Sequence, residues 1–199
     1  MRYNIITIER EYASGGREVG EKLAAKLGIP CYNQQILTKA AAKLNLQPEQ
    51  LAKTEERITG SLLFGLVALA NATSGMSTDF IPLEQQLIAA ESSVIEELSL
   101  HPCVIIGRSA TATLQDKQNV FKVFIHADNS TRMERAINVY HDDAKQAESV
   151  LQRNDKRRSN YFKAATNLGW KDPDLYHMFL NGGKLGIEQT VDILYMSVK

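Results

Sequence analysis

Residues 3–8, Tyr-Asn-Ile-Ile-Thr-Ile, are a β-rich, mostly apolar run that a glycine-bearing bend, Ala13-Ser-Gly-Gly16, joins to an amphipathic helix. A strand apolar on both faces needs cover on both sides, which parallel sheets with helical crossovers supply. In the helix, Val19, Leu23 and Leu27 recur at spacing four with Gly20 and Ala24 beside them, and Gly28 with Pro30 ends it. The alternation continues downstream. Cys103–Gly107 and Val120–Ala127 read as buried strands, and a last strand lies near His177–Leu180. Helices are predicted over about Gln34–Leu44, Pro82–Leu98 and Asp128–Tyr140, the last after an Asp or Asn cap. Beyond Asn181-Gly-Gly, a C-terminal helix carries Ile187, Val191 and Leu194 on one face. Strands alternating with helices in this way imply a three-layer α/β architecture.

The order strand, bend, helix also makes an anion site. Free N–H groups project from a first helical turn, and the macrodipole places about half a positive charge there. Gly15 and Gly16 let the main chain approach an anion closely, Ser14 adds a hydroxyl, and Arg17 brings a fork suited to phosphate oxygens. The stretch departs from the phosphate-loop pattern G-x-x-x-x-G-K-[ST]. Glu11 stands at the first glycine, Arg17 at the lysine and Glu18 at the magnesium-binding hydroxyl. By itself it is equally an ordinary strand–turn–helix, so the downstream residues have to decide.

A length of 199 residues suits one domain, and Lys plus Arg balance Asp plus Glu at 23 each. Zero formal charge argues against a broad nucleic-acid face and confines any anion chemistry to a local cluster. The two cysteines, Cys31 and Cys103, lie far apart in apolar surroundings and read as buried free thiols. The amino terminus enters a strand with no signal-peptide pattern, and the longest apolar run, Leu62–Ala70, is too short to span a bilayer. A cytoplasmic protein with no membrane partner is expected, and the sequon at Asn71 is then incidental.

Four segments could carry chemistry. Gly107-Arg108-Ser109 ends a buried strand, at the edge where open parallel sheets bind ligands, although a solvent-facing arginine there is the plainer alternative. Arg132 and Arg135 share a helix face at spacing three, which also fits a solvated face paired with Glu134. Arg153-Asn-Asp-Lys-Arg-Arg-Ser-Asn-Tyr161 is the most specific cluster. It reads either as a surface ion-pair helix or as a cap swinging over phosphates, with Tyr161, Phe162 and Trp170 helping to exclude water. From Pro48 to Ile81 the pattern loosens, consistent with a short helix plus a surface loop or with a mobile substrate-binding insertion. The four histidines have no mutual metal spacing.

Together, Arg10-Glu-Tyr-Ala-Ser-Gly-Gly-Arg17, Val104-Ile-Ile-Gly-Arg108, Phe124-Ile-His-Ala127 with Arg132 and Arg135, Asp155-Lys-Arg-Arg-Ser-Asn-Tyr-Phe162, Gly169-Trp170 and Leu185-Gly-Ile-Glu188 resemble the cytidylate kinase-like family of P-loop nucleoside monophosphate kinases. The resemblance covers nearly the whole chain. It implies a single P-loop kinase domain over 1–199: a five-stranded parallel sheet flanked by helices, an acceptor-binding region at about 46–81 and a lid at about 146–172. The implied reaction is γ-phosphoryl transfer from Mg²⁺-ATP to a small-molecule nucleotide, CMP or dCMP. Ser14, Gly15, Gly16, Arg17, Glu18 and Arg132 would bind the ATP phosphates, with Glu18 a candidate ligand for Mg²⁺. Arg108 and Arg153 would face the acceptor, and Arg158, Arg157 and Arg17 would stabilise transferring charge, with Asp155 orienting Arg158. Such arginines are worth on the order of 10³–10⁵ in rate. Arg17 and Glu18, where cytidylate kinases carry lysine and a small residue, leave two alternatives: a nucleotide-binding regulator without catalysis, or a P-loop kinase for another small metabolite. Ile106 and Ser109 stand where the family has acidic residues, and no base-reading residue is assigned. Leu62–Ala70 is a candidate dimer contact, lid hinge or plain core.

Overall fold

The computed structural model describes residues 2–60 and 81–199. The stretch Leu62–Ala70 and most of the second half of the 46–81 region lie outside them. In chain order the elements are β1 (Ile5–Arg10), α1 (Gly16–Leu27), β2 (Cys31–Tyr32), α2 (Gln34–Lys43), α3 (Pro48–Gly60), α4 (Leu83–Leu98) and β3 (Cys103–Ile106). Then follow a single turn α5 (Ala110–Thr113), β4 (Val120–His126), α6 (Asn129–Asn138), α7 (Ala147–Thr166), a 3-10 turn at Pro173–Leu175, β5 (Met178–Asn181), the short α8 (Gly182–Leu185) and α9 (Ile187–Val198).

The strands form one five-stranded, wholly parallel sheet in the order β2-β3-β1-β4-β5. β1 is central, with Ile8 opposite Ile106 on one side and Val123 on the other. Alternation along it sorts the core into two layers. Ile6 and Ile8 pack with Val19 and Leu23 of α1 and with Val191 and Leu194 of α9. Ile5 packs on the opposite side with Ile36 of α2, Ile58 of α3, Leu87 and Ile95 of α4, and Tyr161 of α7. Each fully buried aliphatic side chain here contributes roughly 1.5–3 kcal/mol. The three-layer α/β architecture read from the sequence is therefore the one present.

Three local readings are changed or made definite. β2 is only two residues long, too short for any periodicity to announce, and it supplies the fifth strand. The loosened stretch after Pro48 begins as a thirteen-residue helix whose buried side chains are only Thr54 and Ile58, so its apolar stripe is faint. Cys103 is buried as expected, whereas Cys31 is half-exposed because β2 lies at the sheet edge.

Candidate functional site

The C-terminal ends of β1 and β3 carry the two glycine turns, side by side. After β1 the backbone alternates in handedness, with Ala13 at φ 58° and Gly15 at φ 84° before α1 begins. Such alternation turns successive N–H groups to one side as an anion-binding concavity. Ser14 N–H bonds to Glu11 O, Ser14 Oγ donates to the same carbonyl at 2.9 Å, and Gly16 N–H reaches Ser14 Oγ at 3.4 Å. The N–H groups of Ala13, Gly15, Arg17 and Glu18 have no acceptor among the described residues. These are the donors a phosphate group would use.

The bend is held from below by a buried ionic cluster. Asp155 of α7 accepts from Tyr12 N–H at 2.7 Å through Oδ1 and pairs through Oδ2 with Arg132 of α6. Arg132, only 4% exposed, also donates to Tyr12 O at 2.8 Å and lies 3.3 Å from Glu11 Oε2. Glu11 in turn accepts from Ala127 N–H and pairs with Lys171. The fork of Arg132 is thus spent on the protein, which places this residue under the bend as its support. Asp155 lies 3.9 Å from Arg158, so its close partners are Tyr12 and Arg132.

Arg17 and Glu18 are both engaged by other side chains. Arg17 Nε meets Glu21 Oε1 at 2.8 Å, one turn along α1, with its side chain 63% exposed. That hydrogen bond and charge raise the arginine's pKa. Glu18 pairs with Arg135 of α6.

At β3, Gly107, Arg108 and Ser109 all adopt positive φ, at 74°, 58° and 56°. Non-glycine residues in this region cost roughly 1–2 kcal/mol each, so the turn holds Arg108 in a strained, fixed direction. Its Nη1 lies 2.7 Å from Glu55 of α3 and 3.1 Å from Glu91 of α4, and its guanidinium sits 5.7 Å over the Tyr161 ring. Burial pushes Glu91 up to about 7, opposed by Arg108 and assisted by Glu55. Glu91 also accepts a hydrogen bond from the Tyr161 hydroxyl.

Two cavities open on these turns. One, of about 300 Å³, is lined by Tyr12, Ala13, Gly15, Gly16 and Arg17 of the bend, with Tyr140. The other, of about 210 Å³, is lined by Glu9, Glu55, Thr59, Arg108, Asn154, Arg157 and Tyr161. Arg10, Asn33, Gln34 and Arg158 line both, so the two are halves of one cleft. Arg158 donates from Nη1 to Arg10 O at 3.2 Å and lies 5.5 Å over the Tyr12 ring. Arg157 reaches Thr59 Oγ1 at 3.4 Å. Arg153 does not line either cavity; with Lys156 and Glu56 it lines a neighbouring one between α3 and α7 that shares Thr59 and Arg157 with the second.

The structure therefore brings Gly15, Gly16, Arg17, Arg108, Arg157 and Arg158 to the lining of one cleft, buries Ser14 under the bend, pairs Arg17 with Glu21 and Glu18 with Arg135, and places Arg153 on a neighbouring cavity. The aromatics of the supposed cap are core: Phe162 and Trp170 pack on Phe124 and Tyr176, and Trp170 Nε1 donates to Glu9 Oε2 at 3.3 Å. Burial of that much ring surface anchors the C-terminal half of α7. Residues the sequence reading passed over are Arg10, Asn33, Gln34, Glu55 and Glu91. Arg10 carried one readable signal, a charge that follows Glu9 at the carboxyl end of a strand that begins apolar.

A wholly parallel five-stranded sheet with an N–H-rich bend after its central strand and an arginine-lined cleft beside it defines the P-loop kinase fold. Solved structures share it. A protein from Eubacterium ventriosum, described as uncharacterized, superposes with a TM-score of 0.70 at 24% identity, covering 98% of this chain and 97% of that one. A shikimate kinase from Bacteroides thetaiotaomicron gives 0.53 at 12% identity, and TT1252 from Thermus thermophilus 0.53 at 15%, each covering 98% of this chain and 97% of its own. The sequence matches the cytidylate kinase-like family over residues 5–184, and the chain belongs to that family. No curated protein matches it. Among the described residues, no helix is long and apolar enough to cross a membrane.

Proposed function

We propose that this protein transfers the γ-phosphoryl group of ATP to a nucleoside monophosphate, with CMP or dCMP the acceptor by family likeness. An acceptor phosphate oxygen attacks the γ-phosphorus as its bond to the β,γ-bridging oxygen breaks, giving ADP and a nucleoside diphosphate. One observation carries this reading: the cavity at the anion-binding bend and the arginine-lined cavity meet at Arg10, Asn33, Gln34 and Arg158. A donor triphosphate in the first and an acceptor phosphate in the second would bring the reacting groups to that junction, which is most of what such catalysis requires. The free N–H groups of Ala13, Gly15, Arg17 and Glu18 would hold donor phosphates, and Arg108, Arg157 and Arg158 would neutralise acceptor and transferring oxygens. For the metal, Glu18 offers a carboxylate oxygen beyond the one that pairs with Arg135, which suits an ion that arrives on phosphates and keeps its waters. Mg²⁺ held there would supply positive charge to the donor phosphates.

The engagement of Arg17 by Glu21 and of Glu18 by Arg135 favours a second reading, a nucleotide-binding protein that does not turn over. One experiment separates the two. Purified protein with Mg²⁺-ATP is incubated with CMP, dCMP, UMP, AMP and GMP, and both ADP and nucleoside diphosphate are measured. Conversion of CMP or dCMP supports the kinase. Thermal stabilisation by ATP with no product from any acceptor selects the second reading.

A further inference from the structure

Arg10 ends β1 at the junction of the two cavities, and its guanidinium makes no hydrogen bond or ion pair with the described residues. Its neighbours are all engaged. Arg17 has Glu21, Arg108 has Glu55 and Glu91, Arg132 has Glu11 and Asp155, and Arg135 has Glu18. Arg157 has the Thr59 hydroxyl, and Arg158 has the Arg10 carbonyl. Glu9, the adjacent carboxylate, leaves β1 on the opposite face, where Trp170 Nε1 donates to it.

The slot that holds Arg10 is built from the glycines of both turns. A Cβ at Gly16 would stand 2.6 Å from Arg10 Cβ, and a Cβ at Gly107 would collide with Arg10 Nη1. A side chain at Gly16 would press on the Arg10 stem, and one at Gly107 would displace its guanidinium. Burial, reinforced by Arg158 and Arg108, drives the Arg10 pKa down to about 9. Glu9 offsets part of that effect, yet the guanidinium stays charged at neutral pH with no hydrogen-bonded partner among the described residues, and a bound anion would relieve that cost.

We propose that Arg10 is the cation that touches the transferring phosphoryl group, spanning donor and acceptor phosphates in the role that the lysine of G-x-x-x-x-G-K-[ST] plays elsewhere, with Arg17 paired to Glu21. This rests on the phosphoryl-transfer reading above. A guanidinium fork at the junction can bond one oxygen on each side, which suits a group moving from one phosphate to the other.

The test uses inorganic tripolyphosphate, titrated into the full chain with thermal stabilisation and calorimetry as readouts, followed by turnover with Mg²⁺-ATP and CMP. Arg10→Met should weaken tripolyphosphate binding about tenfold to hundredfold. Its loss should exceed that of Arg17→Met by at least about tenfold. Lys22→Met, an exposed charge paired with Glu188, should bind as wild type does. Equal binding by Arg10→Met and wild type, or a larger loss at Arg17, overturns the assignment and leaves the kinase reading standing. A wild-type protein that binds neither tripolyphosphate nor ATP ends both. If Arg10→Met does not fold, Arg10→Lys decides: it keeps the charge without the fork, so kcat should fall at least about tenfold while each KM changes less than about threefold. An unchanged kcat in Arg10→Lys removes the bridging role.

Discussion

Replacing Asp155 by Ala cuts the tie between α7 and the phosphate bend, and the structure gives the size of the effect. The carboxylate accepts from Tyr12 N–H at 2.7 Å and pairs with Arg132, whose side chain is 5% exposed. Stranding a buried charge costs roughly 3–5 kcal/mol, and losing a partner for a buried N–H a further 1–3 kcal/mol. Arg132 keeps Glu11 at 3.3 Å and the Tyr12 carbonyl at 2.8 Å, which brings the expected total down to about 3 kcal/mol. For a chain of this length that corresponds to a fall in Tm of about 6–12 °C. Urea denaturation followed by circular dichroism measures it. Asp155→Asn retains an acceptor for Tyr12 N–H and should lose about half as much. The cycle of Asp155→Asn with Arg132→Met should show a coupling of about 1–3 kcal/mol. If Asp155→Ala stays within about 0.5 kcal/mol of wild type, the cluster under the bend is not a support and the reasoning fails.

Glu91 sets a pH dependence. Its carboxyl is raised from 4.5 to about 7, so between those values the folded chain holds a proton that the unfolded chain releases. That contribution makes stability fall as pH rises from about 4.5 to 7 and level off above, a change of about 3 kcal/mol. Burial also raises Glu9, with the same sign. Glu91→Gln should therefore flatten, not abolish, the slope in urea midpoints taken from pH 4.5 to 8; an unaltered slope contradicts the burial argument. Arg158→Met should lower turnover of the best acceptor on the order of 10²-fold with the fold retained by circular dichroism; a rate within twofold of wild type would remove Arg158 from the mechanism. Phe124→Ala empties the centre of the Phe162–Trp170–Tyr176 cluster and should cost about 3–5 kcal/mol in the same unfolding assay, with a reduced near-ultraviolet signal. A loss below about 1 kcal/mol would mean that this cluster does not anchor α7.

The sequence was legible wherever the signal was local. Val19 and Leu23 recur at helical spacing, and they are buried against β1 on α1. The apolar runs at Ile5, Cys103 and Val120 are strands of the parallel sheet, as their composition required. β2 escaped because two residues hold no period, and α3 was legible only as one of two alternatives because only Thr54 and Ile58 of it are buried. The i,i+4 pairing of Arg17 with Glu21 was written in the chain all along, and the glycine-turn pattern outweighed it.

The side on which a polar residue points was decided by tertiary structure. Asp155 lies one helical turn from Arg158, yet α6 and the bend bring it Arg132 and Tyr12 as closer partners. Arg10 became central only when the strand order β3-β1-β4 laid Gly107 against it. Periodicity records which face of an element is buried, because that depends on neighbours within a turn or two of the chain. Whether residues 10, 108 and 158 meet depends on which strands lie side by side, and no local spacing encodes that.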